Sequence, residues 1–274
     1  MTNRQKDALL QTVTAPTSGA GLPTYDHRPG TGPTLVLLHY WGGSARTWDP
    51  VVDLLPGRDV VALDQRGWGR SRDLPGPWSL ERLAADVLDV VAEAALEDYV
   101  LVGHSMGGKV AQLVGSRRPV GLRGLVLVAP APARPAPTVT PDHQAALAHA
   151  YDSEESIAAV RDHVLTAARL PEPLGAQVLV DSAAVAAEAR DEWPMHGIAE
   201  DVSARTASIA VPTLVVGGGQ DQVEPVGVLE SNLVPYVPGA RLVVLPSSGH
   251  LIPLEAPAEL AAAIEAFAPA RPGR

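Results

Sequence analysis

The sequence has 274 residues and a formal net charge of −10, and this acidic balance argues against nucleic-acid binding, because neutralising phosphates takes clustered Lys and Arg. It contains no cysteine, which excludes disulfides and thiolate chemistry. No apolar run approaches the roughly 20 residues of a membrane span.

The amino-terminal stretch is polar and lacks the apolar segment of a secretory signal, so we expect a cytoplasmic protein without membrane association. A chain of this length can bury a sizeable core, and α/β folds of this size commonly form one domain. We therefore expect a single domain over residues 1–274. Its first strand-like pieces are weak ones at residues 11–14 and 25–28.

Short apolar runs recur along the rest of the chain and predict buried strands. Helical patterns separate several of them, the clearest at residues 79–96, where apolar side chains share one face behind a capping Ser79. Strands that alternate with helices predict an α/β fold, a mostly parallel central sheet flanked by helices. The predicted strands are residues 34–39, 59–63, 99–102, 125–128, 213–216 and 242–245.

The alternation stops between residues 130 and 208, where no strand pattern occurs. A Pro- and Ala-rich connector leads into predicted helices at 142–150, at 152–170 and at 175–190, the second opened by a capping box of Asp152 and Glu155. We interpret residues 131–207 as a helical lid inserted into a core of residues 1–130 and 208–274. The last predicted helix, 256–267, has Pro257 in its first turn.

The sequence GHSMGG at residues 103–108 directly follows a predicted strand and begins a helical pattern. A serine on so sharp a bend has crowded main-chain neighbours, which explains Gly103 and Gly107. The bend exposes the Ser105 hydroxyl and leaves the first helical N–H groups, beginning with Met106, free to face it. Because an unactivated serine is a poor nucleophile, Ser105 needs a base and oxyanion donors.

Two loops offer partners for Ser105. Asp221 follows the predicted strand 213–216, and His250 follows the last strand, so both lie at the sheet edge where the Ser105 bend opens. In this order His250 would take the serine proton and return it to the leaving group, while Asp221 would fix the imidazole tautomer. Glu224 is the rival for the acidic role.

These motifs, together with HYWGG at residues 39–43 and DQRGWGRS at 64–71, resemble the α/β-hydrolase family, specifically its serine esterase and cofactor-free haloperoxidase-like branch. The resemblance runs from about residue 33 to residue 267. It implies that the Trp41 N–H is the second oxyanion donor, paired with that of Met106. The chain departs from the family at Tyr40, where glycine is usual, and we hypothesise that the Tyr40 ring lines the acyl side of the pocket.

Five of the eleven aromatic residues fall between residues 40 and 78, in or near predicted loops. Tyr40, Trp41 and Trp68 lie on the motif loops and are predicted to line the substrate pocket, with Trp193 as a contact from the lid. We therefore expect an apolar, cyclic or aromatic substrate. Trp48 and Trp78 are as consistent with packing in the core as with lining the pocket. Asp64 and Arg66 are expected to brace their loop by an ion pair or by main-chain hydrogen bonds.

From the residues and the resemblance, we expect a serine hydrolase that cleaves a carboxylic ester or lactone through an acyl-enzyme, with no cofactor and no metal. The histidines lack the spacing of metal ligands. The expected partner is a small-molecule substrate only, with neither nucleic acid nor membrane, and no oligomer is indicated. Other activities stay open because fold and triad are shared across reactions: haloperoxidase or perhydrolase chemistry, amide or carbon–carbon hydrolysis, and a ligand receptor that retains the triad.

Overall fold

One mixed sheet of eight strands organises the described part of the chain, residues 11–13 and 21–268 of a computed structural model. The prediction of a mostly parallel sheet is confirmed, and all six predicted core strands are present. The weak piece at 11–14 is a strand over its first three residues, and Thr14 lies outside the described residues. The strands are β1 (Gln11–Val13), β2 (Tyr25–Arg28), β3 (Thr31–Leu38), β4 (Arg58–Leu63), β5 (Tyr99–His104), β6 (Leu122–Val128), β7 (Thr213–Gly218) and β8 (Arg241–Leu245).

The strand order is β1-β2-β4-β3-β5-β6-β7-β8, and every neighbouring pair from β4 to β8 is parallel. Only β2 runs against its neighbours, β1 and β4. In a parallel sheet the carboxyl ends of the strands share one edge. The loops after β3, β5, β7 and β8 therefore open at the same edge.

The central strands are apolar on both faces because helices cover both sides of the sheet. Along β3, Leu35 and Leu37 point into one buried cluster, and Val36 and Leu38 point into the other. The helices in the described residues are α1 (Asp49–Val52), α2 (Leu80–Glu93), α3 (Met106–Ser116), α4 (Pro141–Ala148), α5 (Glu154–Val160), α6 (Glu172–Ala183), α7 (Ala187–Met195), α8 (Ser203–Thr206), α9 (Val226–Asn232), α10 (Ile252–Glu255) and α11 (Pro257–Phe267).

Helices α2 and α3 pack on one face of the sheet, and α1 and α11 pack on the other. Ser79 caps α2, as predicted, by accepting a hydrogen bond from the Arg82 N–H at 3.4 Å. Short 3-10 turns lie at Ala45–Trp48, Gly69–Ser71, Gly197–Ala199 and Val234–Tyr236, and a π turn spans Arg161–Leu165.

Residues 129–212, here called the helical segment, connect β6 to β7 and carry α4 to α8. The helix predicted at 152–170 is shorter than expected, because the π turn ends at Leu165 and Thr166 is extended. Its cap is Ser153, whose hydroxyl accepts from the Ser156 N–H at 3.1 Å, so the predicted Asp152 and Glu155 box is wrong.

The helical segment shares its buried side chains with the sheet. Tyr151, Ala189 and Trp193 belong to the same apolar cluster as Leu38 of β3 and Val110 of α3. The helical segment thus packs directly over the sheet.

None of the helices within residues 21–268 combines the length and the apolar character that crossing a membrane requires.

Candidate active site

Ser105 occupies the tight bend between β5 and α3, with φ +53° and ψ −115°. A positive φ is uncommon for a residue other than glycine and requires support from its surroundings. A Cβ at Gly103 would lie 2.3 Å from the Gly107 carbonyl oxygen, and one at Gly107 would lie 2.6 Å from the His39 oxygen. The bend therefore requires both glycines, and it projects the serine hydroxyl above the sheet edge.

The structure brings Ser105, His250 and Asp221 together, although they are far apart in sequence. The Nε2 atom of His250 lies 2.8 Å from the Ser105 Oγ, and its Nδ1 lies 2.9 Å from an Asp221 carboxylate oxygen. An Nδ1–H that donates to Asp221 leaves Nε2 as the acceptor for the serine hydroxyl. This arrangement can remove the serine proton.

The Asp221 carboxylate is held in its ionised form by the groups around it. Its second oxygen accepts hydrogen bonds from the main-chain N–H groups of Val223 and Glu224, at 2.8 and 3.0 Å. Burial acts to raise the pKa of Asp221, but the His250 imidazole and these hydrogen bonds outweigh it and lower the pKa below its usual value. The ionised carboxylate is what stabilises an imidazolium on His250.

The loop after β3 places Trp41 in the wall of the same cavity as Ser105. Met106 is the first residue of α3, and Trp41 lies in the turn closed by the Gly43 N–H donating to the Tyr40 oxygen at 3.0 Å. Within the described residues, neither the Met106 nor the Trp41 N–H donates to another main-chain group. Both N–H groups are therefore candidate donors to an oxyanion formed at Ser105.

Tyr40 adopts an ordinary backbone conformation, because its φ angle is not positive. Its ring is buried, lines the cavity above Ser105 and lies 5.2 Å from the His104 ring. Burial, reinforced by Tyr151 and Asp181, raises the pKa of Tyr40 well above its usual value, despite a hydrogen bond with Ser182. The chain thus accommodates a neutral phenol where glycine is usual.

Two buried histidines lie beneath the site. The His39 ring contacts the Tyr40 carbonyl oxygen at 2.7 Å, and its other nitrogen accepts from the Gln65 N–H at 3.0 Å. The His104 Nε2 donates to the His250 carbonyl oxygen at 2.8 Å. Burial, followed by repulsion from His250, lowers the pKa of His104 to about 3, so this ring stays neutral and supports the loop that carries His250.

A cavity of about 260 Å³ opens over Ser105 and His250. Tyr40, Trp41 and Trp193, three of the predicted substrate contacts, lie in its wall. Most of the remaining wall is apolar and comes from the helical segment, including Val139, Leu147, Val160, Leu165 and Ile198. Such a cavity suits an apolar ligand with one reactive polar group.

Trp68 corrects the predicted set of substrate contacts. It is not among the residues that line this cavity, and its side chain is only 1% exposed. A buried indole needs a hydrogen-bond acceptor, and the Trp68 N–H finds one in the Trp41 carbonyl oxygen. Trp68 therefore supports the oxyanion loop, residues 39–46, from behind. Trp48 belongs to the core, where it is fully buried.

Asp64 and Arg66 brace the neighbouring loops through different partners. Asp64 accepts from the Ala45 N–H at 2.7 Å and forms an ion pair with Arg70. Arg66 forms a buried ion pair with Asp86 at 2.7 Å. The predicted bracing role thus holds for both residues, but not as a pair with each other.

The helical segment contacts the oxyanion loop through residues that sequence reasoning missed. The Tyr151 ring stacks on Trp41, and the Trp41 indole N–H donates to the Arg190 carbonyl oxygen at 3.0 Å. Asp181 accepts from the Ser44 hydroxyl at 2.8 Å and pairs with Arg46. These contacts join residues more than 100 positions apart, and no local sequence pattern indicates them.

The same segment also holds the loop of His250. The Leu165 carbonyl oxygen accepts from the N–H groups of His250 and Leu251, at 2.9 and 3.0 Å. The Glu255 carboxylate accepts from the Ala167 N–H at 2.7 Å and from the Gly249 N–H at 3.0 Å. The helical segment therefore contacts both the loop that carries His250 and the loop that carries Trp41.

Within residues 11–13 and 21–268, no three His, Asp or Glu side chains are grouped so as to hold a metal ion. Glu224, the sequence rival of Asp221, donates its main-chain N–H to Asp221, and the His250 Nδ1 hydrogen bond goes to Asp221 instead of Glu224. Its side chain lies in the cavity wall instead.

Two relatives illustrate the similarity to known sequences. A pimeloyl-[acyl-carrier protein] methyl ester esterase from Pseudoalteromonas atlantica is 37% identical over 105 residues, which cover 38% of this chain and only 39% of that protein. A proposed carbamate hydrolase, RutD, from Pseudomonas savastanoi is 28% identical over 232 residues, covering 80% of this chain and 86% of that protein.

Solved structures share the fold over nearly the whole chain. An esterase from Exiguobacterium antarcticum superimposes with a TM-score of 0.80 at 23% identity, covering 94% of this chain and 97% of that one. A bromoperoxidase from Bacillus anthracis gives a TM-score of 0.79 at 19% identity, covering 89% and 95%. The model of the alpha/beta hydrolase family matches residues 35–263, from β3 to α11. The chain therefore belongs to the alpha/beta hydrolase family.

Proposed function

We propose that this enzyme is a serine hydrolase that cleaves a carboxylic ester or lactone through an acyl-enzyme, without a cofactor. The observation that carries the proposal is the continuous hydrogen-bonded chain from the Ser105 Oγ through His250 to Asp221, with distances of 2.8 and 2.9 Å. A serine at a strained bend, beside a base that is itself oriented by a carboxylate, is the arrangement of an activated nucleophile.

In the first half of the reaction, His250 accepts the Ser105 proton while the serine oxygen attacks the ester carbonyl carbon. The negative charge that develops on the carbonyl oxygen is stabilised by the N–H groups of Met106 and Trp41. One such donor contributes about 2.7–4 kcal/mol to transition-state binding. The tetrahedral intermediate then collapses, the alcohol leaves with the proton from His250, and the acyl group stays on Ser105.

In the second half, His250 accepts a proton from water, and the resulting hydroxide attacks the acyl carbon. The same two N–H groups hold the oxyanion again, and His250 returns the proton to the Ser105 oxygen as the acid departs. Asp221 stays ionised throughout and stabilises the imidazolium formed in each half.

The cavity supports an apolar substrate of moderate size, cyclic or aromatic, bound between Tyr40, Trp41 and Trp193. Residues 131–207 serve as the lid in this proposal, within one domain that also includes the core, because their apolar side chains form most of the cavity wall. Relatives named as a methyl ester esterase and a carbamate hydrolase support hydrolysis at a carbonyl carbon.

The test combines labelling with turnover. A fluorophosphonate should modify Ser105, located by peptide mass mapping, and Ser105→Ala should abolish both labelling and the hydrolysis of p-nitrophenyl esters and aryl lactones. Ser231→Ala is the matched control, since Ser231 is an exposed serine on α9. Labelling of another residue, or undiminished turnover by Ser105→Ala, would contradict the proposal.

A further inference from the structure

Glu224 has a buried carboxyl group that the proposed chemistry does not use. It lies three residues after Asp221 on the loop between β7 and α9, is only 5% exposed and shares the cavity wall with Ser105 and Trp41. Among the described residues its carboxyl group has no hydrogen-bond or ion-pair partner. Its oxygens are not fully enclosed, because they are not among the unpaired polar atoms that lack exposed surface. The group therefore faces the open cavity.

The charges around Glu224 favour its uncharged form. Asp221, directly beside it, is already ionised by its contact with His250. The buried Lys109 of α3 donates from its ammonium group to the Ile198 carbonyl oxygen at 3.3 Å, and among the described residues no ion pair joins it to Glu224. Burial first, and then Asp221, raise the pKa of Glu224 well above its usual value, against a smaller opposing effect of Lys109.

A neutral carboxyl group carries one O–H donor in addition to its acceptor oxygens. A buried donor without a partner is costly, so a ligand in the cavity that accepts its hydrogen bond is stabilised there. The wall around Glu224 is largely apolar, with Val223, Pro225 and Val228 on its own loop and helix. The donor is thus one of few polar groups, with Thr138, His143 and Gln222, in a largely apolar wall, and ligand sites fix orientation through such a small number of polar groups.

We propose that Glu224 is a specificity-determining residue whose protonated carboxyl group donates a hydrogen bond to an uncharged ether or ketone oxygen on the apolar body of the substrate. The inference rests on the proposed function and narrows its substrate class to esters or lactones that carry a second oxygen away from the scissile bond. It assigns Glu224 no part in proton transfer at Ser105.

The opposite assignment, an ionised Glu224 that binds a substrate ammonium group, requires two adjacent carboxylates in an apolar wall. It also requires an ammonium group to lose its water on entering the cavity, and the desolvation of both ions offsets their attraction. The surroundings of Glu224 therefore favour the neutral donor.

The experiment is an oxygen scan with p-nitrophenyl esters and with alkyl butanoates. In each series one methylene of the acyl chain or of the alcohol is replaced by an ether oxygen at successive positions, and kcat/KM is compared with that of the all-carbon ester. The wild-type enzyme should prefer one ether position about tenfold or more, because a site built to hydrogen-bond an oxygen discriminates against its absence.

Two variants then separate the donor from the charge. Glu224→Gln keeps a neutral donor and should retain the preference within about threefold, whereas Glu224→Leu should reduce the ratio to about one. Glu230→Gln, on the exposed side of α9, is the matched control and should behave as wild type. Fluorophosphonate labelling of Ser105 in each variant reports that the site is folded.

The inference would be overturned if the wild-type enzyme showed no preference for any ether position. It would also be overturned if Glu224→Leu kept the preference of the wild-type enzyme. A third such outcome is a preference for ammonium-bearing esters that both Glu224→Gln and Glu224→Leu abolish, since it would assign an ionised carboxylate. If Ser105 is not labelled and the all-carbon esters are not hydrolysed, the proposed function itself fails. The two failures are therefore distinguishable.

Discussion

The indole ring of Trp41 stacks on the phenol ring of Tyr151, with ring centroids 4.2 Å apart and planes inclined by 20°. Trp41 carries one of the two proposed oxyanion donors, and Tyr151 belongs to the helical segment. The position of this proposed donor thus depends on a side chain contributed by a part of the chain 110 residues away.

This stack gives a direct test of how the oxyanion loop is held. Tyr151→Leu removes the aromatic partner and should lower kcat by about threefold to tenfold, because an aromatic pair contributes about 0.5–1.5 kcal/mol beyond its buried area. Tyr151→Phe keeps the ring and should retain kcat. Steady-state kinetics on one aryl ester measure both. Equal kcat values for the two variants would show that Trp41 is held by other contacts.

The assignment of Asp221, rather than Glu224, as the acid that orients His250 is tested by Asp221→Asn. An asparagine at this position favours the wrong imidazole tautomer, so kcat should fall by about four orders of magnitude with little change in fold. The exposed Asp73 supplies the control variant, Asp73→Asn, for which we expect wild-type turnover. A loss below about tenfold for Asp221→Asn would mean that another carboxylate does this work.

The close packing at the Ser105 bend predicts a penalty for any side chain at residue 107. A Cβ in Gly107→Ala would lie 2.6 Å from the His39 oxygen and 2.7 Å from the Leu38 oxygen, both main-chain atoms that have little room to move. We expect a destabilisation of about 1–3 kcal/mol, the usual cost of overpacking, together with a strong loss of kcat. Denaturant unfolding and aryl ester hydrolysis measure the two effects.

Gly227 provides the comparison for this substitution. It lies on α9, and a Cβ there would have no neighbour within 4 Å among the described residues. Gly227→Ala should leave both stability and turnover intact or gain slightly from the better helix propensity of alanine. A similar loss in both variants would remove the packing explanation.

The buried Lys109 predicts a pH dependence of stability. Burial lowers its pKa to about 8, from an ordinary value of 10.5, so between these two values the unfolded chain binds more protons and stability rises with pH. Below pH 8 the lysine is charged in both states and its burial penalty is present in full. Lys109→Met, which cannot titrate, should therefore be more stable relative to wild type at pH 7 than at pH 10, by roughly 3 kcal/mol.

Guanidinium unfolding of both proteins at the two pH values measures this difference. Arg72→Met, at an exposed position, controls for the loss of a surface cation and should show no such change. A pH-independent difference between Lys109→Met and wild type would indicate that the lysine keeps its charge in the folded protein up to its ordinary pKa.

The fold could be predicted because its central strands are continuous apolar runs, the pattern of strands covered on both faces. The prediction of burial is wrong for the edge strand β8, where Val243 and Val244 are 42% and 39% exposed. The mostly parallel sheet and the family are confirmed by the topology and the family match. The loops of Ser105, Asp221 and His250 were expected at one edge because parallel strands place their carboxyl ends together. That inference needs only strand direction, which the strand and helix alternation supplies.

The details that failed depend on side-chain direction and competition between neighbours. Trp68 lies on a motif loop, but its indole turns inward to the Trp41 oxygen, which no spacing rule indicates. Asp152 and Ser153 are both residue types that cap helices well, but Ser153 is the cap of α5 because its hydroxyl accepts from the Ser156 N–H. Tyr151 and Asp181 could not be linked to the oxyanion loop, because contacts across more than 100 residues arise only from the folded packing.

The two hydrogen bonds that the Leu165 carbonyl oxygen accepts from His250 and Leu251 have a practical consequence for redesign. Exchanging the covering helices with those of another enzyme is an obvious way to alter substrate range. In this protein such a chimera would also remove the main-chain acceptor that holds the loop of His250, the proposed general base, and with Asp181 it would remove a contact that holds the oxyanion loop. Grafts that preserve Leu165, Asp181 and Tyr151 as fixed points should stay active, whereas grafts that replace them should fold and yet turn over poorly.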